Sequence, residues 1–380
     1  MMFFFYITIA LLFLYGILFQ FYQSWWKSLP DFEPAQEPIE PGNVKISVIV
    51  PARNEAANIA VCLNSICGQH YPQHLLQIIV IDDQSSDNTF EIANAVLHHG
   101  IQLICYRLPP AEKNTAPKKR AIETGMSMAS GELVVTTDAD CIAGPDWLKS
   151  IAAYHRQSGN IFIAAPVKIK DGSSLLSKFQ ALDFLTMQGI TAAAVSRHFH
   201  HMCNGANLSY EKKIFYEVDG FTGIDAIASG DDMLLMRKVA DKYPGKIGFV
   251  KSAAAIVTTL PATNWKAFFQ QRIRWASKAT HYRQPKIFFV LLLVYLVNLF
   301  IFCFLLMGLF QPFALVLFLL LCIAKFFFEL FFVKDIAVFF QQSRLVPWLL
   351  LLQPLHIVYI VVSGFLGQFK TYEWKGRKLK

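Results

Sequence analysis

The chain has 380 residues, 54% of them hydrophobic and only 16% charged, with a mean hydropathy of +0.38; such values exclude an ordinary soluble globular protein and imply a membrane share. Formal net charge is +8, from 35 Lys plus Arg against 27 Asp plus Glu, and the cations gather at Lys118, Lys119 and Arg120, between Lys266 and Arg283, and in the last eleven residues. That placement suits an anionic leaflet and a phosphorylated ligand and speaks against nucleic acid. The 7 cysteines, Cys62, Cys67, Cys105, Cys141, Cys203, Cys303 and Cys322, show no CxxC pairing, so they read as buried thiols in a reducing compartment rather than as a disulfide framework or zinc site.

Met1 to Tyr22 (MMFFFYITIALLFLYGILFQFY) is long enough to cross a bilayer and lacks both a basic leader and a small-residue cleavage site, which predicts a retained anchor over residues 1–23. Lys27 follows it and nothing basic precedes it, so the charge rule puts the next domain in the cytoplasm, with Trp25 and Trp26 at the interface. Residues 24–44 are rich in Pro and acid and read as a linker. A catalytic domain is expected over 45–262.

Within it, Lys45 to Pro51 and Gln77 to Asp83 are β-branched runs separated by a helical pattern from Glu55 to Cys67, the spacing of a βαβ unit. Strands are predicted at Gln102 to Leu108, Glu132 to Thr137 and Ile161 to Val167, and helices at Asp87 to Leu97 and Lys118 to Ala129. This alternation argues for an α/β, mostly parallel, doubly wound sheet. Residues 263–285 carry aromatic and basic residues at helical spacing, as in an amphipathic interfacial helix. Over 286–370 come three apolar stretches, Ile287 to Leu309, Phe313 to Val333 and Val346 to Phe369, followed by a basic tail at 371–380. Three crossings would leave that tail outside, against the charge rule, so two or three are expected, and the middle stretch, with Lys325 and Glu329, is the candidate for an interfacial or re-entrant helix.

Ligands of an open parallel sheet sit at the carboxyl ends of its strands. Three strand ends carry polar clusters: Pro51-Ala52-Arg53-Asn54-Glu55, Asp82-Asp83-Gln84-Ser85-Ser86-Asp87 and Asp138-Ala139-Asp140. The last offers two carboxylates at i and i+2, suited to a hard divalent cation that bridges to phosphate oxygens; either acidic cluster taken alone also fits a helix cap. The His198-Phe199-His200-His201 cluster reads as a solvated or membrane-facing loop rather than a metal site. The glycine-rich fingerprint of a P-loop or Rossmann nucleotide enzyme is missing.

The order of these clusters, continued by Lys118, Gly230-Asp231-Asp232 and Gln271-Arg272-Ile273-Arg274-Trp275, resembles glycosyltransferase family 2 from about Ile46 to Trp275. The last element is similar to the Gln-x-x-Arg-Trp signature of its membrane-integrated members, such as cellulose, hyaluronan and poly-N-acetylglucosamine synthases and bacterial lipid glycosyltransferases.

The resemblance implies a GT-A fold, a nucleotide-diphospho-sugar donor, first of all a UDP-sugar, a divalent metal (Mn²⁺ or Mg²⁺) and transfer with inversion. It implies that Asp83, with Asp82, pairs with the nucleotide base, that Pro51, Ala52, Arg53 and Glu55 line the nucleoside, and that Lys118 reaches the diphosphate. A proline, Pro117, stands where the family has glycine. Asp138 and Asp140 match the metal motif, and Asp232 the general base, with Asp231 replacing the usual Glu. Asp231 and Asp232 also read as the N-cap of the following helix. Gln271, Arg274 and Trp275 fall on the motif that stabilises the leaving diphosphate and stacks on the acceptor, while Asn204 and Gly205, in Cys203 to Asn207 before an expected helix, match the acceptor side. The implied partners are a nucleotide sugar, a lipid or glycan acceptor and the bilayer, with an oligomer left open. The implied place is the inner membrane of the cell envelope. Three functions compete: single transfer to a lipid or glycan acceptor, processive polysaccharide synthesis coupled to export, and an inactive membrane scaffold.

Overall fold

The computed structural model describes residues 1–34, 44–98, 100–110, 116–225, 227, 230–277, 285–368, 372–374 and 377–379. Most of the linker segment, Lys278, Ala279 and Arg283, and the side chains of the basic tail lie outside the described residues. In chain order come α1 (Met2–Ser28), β1 (Ile46–Ala52), α2 (Ile59–Cys67), β2 (Leu76–Asp82), α3 (Thr89–Asn94), β3 (Gln102–Arg107), α4 (Pro117–Met128) and β4 (Leu133–Thr136). Next are β5 (Ile142–Ala143), α5 (Trp147–Ser158), β6 (Phe162–Ala164), β7 (Val167–Ile169), α6 (Leu175–Ser196), β8 (Leu208–Glu211), α7 (Lys212–Glu217) and α8 (Asp231–Lys242). Then follow β9 (Ile247–Phe249), β10 (Val257–Thr259), α9 (Trp265–Ala276), α10 (Pro285–Met307), α11 (Pro312–Phe339) and α12 (Trp348–Gly367), with a hairpin at Tyr372–Trp374 and Arg377–Leu379.

Two compact units result. One comprises Leu29–Lys168 and His201–Leu260, the other Met1–Ser28, Ile169–His200 and Pro261–Lys380.

The first unit holds a 7-stranded mixed sheet in the order β3-β2-β1-β4-β8-β6-β9. Strands β1 to β4 run parallel to one another where they pair, whereas β8 is antiparallel to both β4 and β6. In β1, Ile46, Val48, Ile49 and Val50 are all buried, as are Ile78 to Ile81 in β2; strands covered on both faces read as unbroken β-branched runs, which is why their sequences lack alternation. The mixed sheet is that of the expected α/β GT-A class. Two local expectations change. The strand expected over Ile161 to Val167 is two short strands, β6 and β7, and strand β8 stands between Asn207 and the expected helix, which is α7.

Asn207 pins that entry. Its buried amide accepts a hydrogen bond from Trp147 Nε1 at 2.9 Å and donates to the carbonyls of Pro166 and Ala255, each at 2.8 Å.

Among its described residues the second unit has four helices, α1, α10, α11 and α12, long and apolar enough to cross a membrane. Helix α1 runs on to Ser28, so Trp25, Trp26 and Lys27 belong to it and not to a linker; Trp26 packs on Phe339 at 5.2 Å and Trp25 on Phe199 at 5.1 Å. His200 is buried and bonded to the Tyr22 hydroxyl at 2.9 Å, so this part of the histidine cluster is neither solvated nor lipid-facing. Helix α11 is continuous over 28 residues. Its Lys325 and Glu329, the ground for expecting an interfacial helix, are both buried, and they pair at 2.6 Å inside the bundle. An ion in this setting is tolerated only when paired.

Replacing Asn207 with Ala strands three buried polar groups, at about 1–3 kcal/mol each. Asn207→Ala is therefore expected to lower the midpoint of thermal unfolding, followed by tryptophan fluorescence of the full chain in detergent, by roughly 10 °C.

Candidate active site

The parallel run of β1, β2 and β4 brings the three polar clusters out at one edge of the sheet. Strand β8 pairs with β4 in the opposite sense, Thr136 opposite Leu208, so the residues just before β8 reach this same edge. Thr136 Oγ1 donates to the Gly205 carbonyl at 3.3 Å. Topology thus carries Asn204 and Gly205 to the end of β4, and no local spacing in the sequence announces it.

At the end of β1, Arg53 Nη1 donates to the carbonyls of Asp83 and Gln84 at 2.5 and 3.1 Å, and the same nitrogen lies 3.8 Å from Asp83 Oδ2. The Glu55 backbone donates to Thr89 Oγ1 at 2.7 Å, and the Glu55 carboxylate accepts from Asn58 Nδ2 at 2.7 Å. Asn54 and Gln84 have φ of 51° and 57°, so the two loops turn sharply beside each other. Pro51 and Ala52 close β1, and the Ala52 carbonyl accepts from the Asp83 backbone at 2.8 Å. The two aspartates differ in kind. Asp82 is fully buried and its Oδ2 accepts from Arg107 Nε at 3.1 Å, which makes it a structural anchor for the β2 to β3 edge. Asp83 stands next to Arg53 instead.

Lys118, in the first turn of α4, is the centre of the charged cluster. Its ammonium donates to Asp138 Oδ1 at 2.7 Å and lies 3.5 Å from Asp231 Oδ2. Burial works against its charge, but the Asp138 and Asp231 carboxylates outweigh it and raise its pKa above the ordinary lysine value. Pro117 opens the helix at a position where a missing backbone donor costs nothing, so replacing the expected glycine leaves the lysine in place.

Gly205 is wedged against this cluster. A Cβ there would lie 3.1 Å from Lys118 Nζ and 3.2 Å from Asp231 Oδ2, and the Gly205 backbone donates to Asp232 Oδ2 at 3.1 Å. Asp232 Oδ1 accepts from the Met233 backbone at 2.7 Å. Gly230, with φ of 84°, takes the cap position of α8, so Asp231 and Asp232 fall in its first turn rather than at the cap, where the helix dipole favours carboxylates. Asn204 Oδ1 accepts from the Ala206 backbone at 2.9 Å and shapes the turn.

Asp140 Oδ2 accepts from Thr259 Oγ1 on β10 at 3.2 Å, a partner that sequence spacing does not suggest. Among the described residues no three or more His, Cys, Asp or Glu side chains are grouped to hold a metal. Asp138 and Asp140 supply oxygen donors only, the set a hard divalent cation takes when diphosphate and water complete its shell.

Gln271, Arg274 and Trp275 lie on α9, in the helical unit. There the Trp275 ring faces inward: the Arg272 guanidinium sits over it at 4.1 Å, and Phe184 is 6.1 Å away. Sequence reasoning placed Arg272 only in the helical spacing of an amphipathic helix; it is buried and pairs with Asp183 at 2.7 Å.

Residues 47–219 match the family model described as glycosyl transferase family 2. The "Probable glycosyltransferase YdaM" of Bacillus subtilis is 26% identical over 268 residues, covering 68% of this chain and 60% of that protein. The beta-monoglucosyldiacylglycerol synthase of Trichormus variabilis is 30% identical over 103 residues, 27% of this chain and 22% of that protein. The chain therefore spans less than two thirds of the length of either relative. Among solved structures, the mannosyltransferase PcManGT of Pyrobaculum calidifontis, in complex with GDP-Man and Mn²⁺, aligns over 95% of this chain and 99% of its own with a TM-score of 0.58 at 19% identity, a likeness that shows the shared fold. Residues 47–219 thus carry a glycosyltransferase family 2 domain, with which the relatives and the fold agree.

Proposed function

We propose that this protein is a membrane-bound inverting glycosyltransferase that moves a sugar from a nucleotide-sugar donor, in the first instance a UDP-sugar, to a lipid acceptor at the membrane. The observation that carries the reading is the convergence of Lys118, Asp138, Asp231, Asp232 and Gly205 at one sheet edge, beside the loops that hold Arg53 and Asp83.

In this reading Arg53, Glu55 and Asp83 hold the nucleoside and Lys118 neutralises the diphosphate. Asp140, with Asp138, would hold Mn²⁺ or Mg²⁺, which supplies further charge neutralisation to the diphosphate. The acceptor hydroxyl oxygen forms its bond to the anomeric carbon as the bond from that carbon to the diphosphate oxygen breaks, and the hydroxyl proton passes to Asp232. The nucleoside diphosphate leaves with the electron pair of the broken bond, so stabilising it is the largest contribution to the lowered barrier. Arg274 and Trp275, on α9 of the helical unit, are assigned the roles that the family motif implies, leaving-group stabilisation and acceptor stacking.

A lipid acceptor is favoured over a growing polymer because four candidate spans leave little lumen for a chain. The charge rule places the catalytic unit on the cytoplasmic side.

Three outcomes follow. Asp232→Asn keeps the shape of the side chain but removes its basicity, so transfer should fall by roughly 10³-fold or more while the protein still inserts and melts as wild type. Asp140→Ala should abolish metal-stimulated turnover of UDP- and GDP-sugars in nanodiscs containing dioleoylglycerol, assayed by released nucleoside diphosphate. Gly205→Ala forces its methyl between Lys118 and Asp231, and a fall of roughly 10-fold in kcat is expected from this misplacement. Activity near wild type in any of the three removes the role assigned at that position.

A further inference from the structure

The helical unit contains a second polar network that the reaction above does not use. Lys325 on α11 donates to Glu329 at 2.6 Å and to Gln353 Oε1 on α12 at 2.9 Å, and lies 3.4 Å from His356 Nδ1. The Tyr15 hydroxyl on α1 and Gln353 Nε2 both donate to Glu329. An ammonium can only donate, so Nδ1 of His356 accepts and the ring proton sits on Nε2. That nitrogen lies 3.7 Å from Asp183 Oδ1 on α6, and the other oxygen of Asp183 is 2.7 Å from Arg272 Nη2 on α9. Five helices are joined by one chain of polar side chains that ends at the guanidinium stacked over Trp275.

The charges decide what the network is. Lys325 cancels Glu329 and Arg272 cancels Asp183, so no net charge remains to attract an anionic ligand. A closed, neutral set of buried ions fixes geometry rather than binding a ligand. Arg272 is the sensitive point: it is 2% exposed, and none of its three guanidinium nitrogens makes a hydrogen bond among the described residues. Its position rests on the Asp183 charge and on the rings of Trp275, Phe268 and Tyr359 at 4.1, 5.0 and 5.9 Å. Residues 268, 272 and 275 share one helix face, so the setting of Arg272 determines the rotation of α9 about its axis. That rotation in turn sets where Gln271 and Arg274 point.

Two neighbouring contacts support the same function. Gln180 on α6 exchanges hydrogen bonds of 3.1 and 2.8 Å with Ala262, just before α9. At the far end, a Cβ on Gly367 would come within 2.7 Å of Ala276 Cβ, so α12 closes directly on the last turn of α9.

We propose that Asp183 and His356 are positioning residues for the acceptor step, orienting the Gln271-Arg274-Trp275 face of α9 through Arg272. This rests on the glycosyltransferase reading for its kinetic consequence but not for its geometry. The test uses the full chain in nanodiscs with dioleoylglycerol as acceptor probe and 5-fluorotryptophan throughout, with the Trp275 fluorine resonance assigned by Trp275→Phe. Asp183→Asn is expected to shift or broaden that resonance and to raise the KM for dioleoylglycerol about 10-fold, with UDP affinity unchanged. Asp183→Glu should recover most of both, and His356→Gln should move them in the same direction by less. An unmoved Trp275 resonance in Asp183→Asn overturns the proposal, as does a parallel loss of UDP affinity, which marks a general structural defect. If Asp183→Asn does not insert, the exchange Asp183→Arg with Arg272→Asp is read in the same way. Failure of the exchange to accumulate also counts against positioning and for a purely structural pair. Should the unmodified protein transfer no sugar, the function proposed above fails, and the fluorine resonance still decides whether the network sets Trp275.

Discussion

One half-buried cation, Lys118, organises the charged cluster of the catalytic unit. Lys118 meets Asp138 from the end of β4 and Asp231 from the start of α8, two segments far apart in the chain, and Gly205 is tight against Lys118, Asp231 and Asp232, since a Cβ there would lie within 3.5 Å of each. An ammonium so placed screens carboxylates that otherwise repel one another and, on the proposed function, the incoming diphosphate. On the proposed reaction, the cluster's lysine is already held by Asp138 and Asp231 where negative charge would develop. Preorganisation of this kind is more effective than contacts formed only as the substrate arrives.

The helical unit follows the same logic in a less polar setting. A lone Lys325 or Arg272 buried among apolar helices would be prohibitive, whereas two neutralised pairs bridged by His356 are tolerated. Apolar surface alone gives helices in a bilayer little preference for one packing over another. Ion pairs with fixed partners supply that preference, and the pair of Asp183 with Arg272 ties α6 to α9.

Much of the catalytic sheet was legible from sequence because fully buried parallel strands leave continuous β-branched runs: β1 was expected at Lys45 to Pro51 and lies at Ile46–Ala52, and β2 at Gln77 to Asp83 and lies at Leu76–Asp82. The carboxylates and Lys118 were legible through the family's order of motifs. Helix α6 was not, since it is buried on nearly every side and shows no amphipathic stripe to read. The antiparallel entry of β8 was missed for a related reason. A four-residue strand carries too little pattern, and what fixes it is Asn207 reaching Trp147, Pro166 and Ala255. Asp82 and Asp83 are equivalent on paper and distinct in space, because only the fold brings Arg107 to one and Arg53 to the other. Arg272 was read as part of an amphipathic stripe and not as half of an ion pair, because its partner, Asp183, lies on a helix that the sequence had not revealed.

The central claim is a single displacement at the anomeric carbon with Asp232 as the base, and the stereochemistry of the product tests it most directly. Glycolipid made from an α-linked nucleotide sugar by the protein in dioleoylglycerol nanodiscs is examined by proton NMR at the anomeric position. The account predicts a β linkage. An α linkage would mean retention, and would contradict the assignment of Asp232 as a base acting on the acceptor in one step.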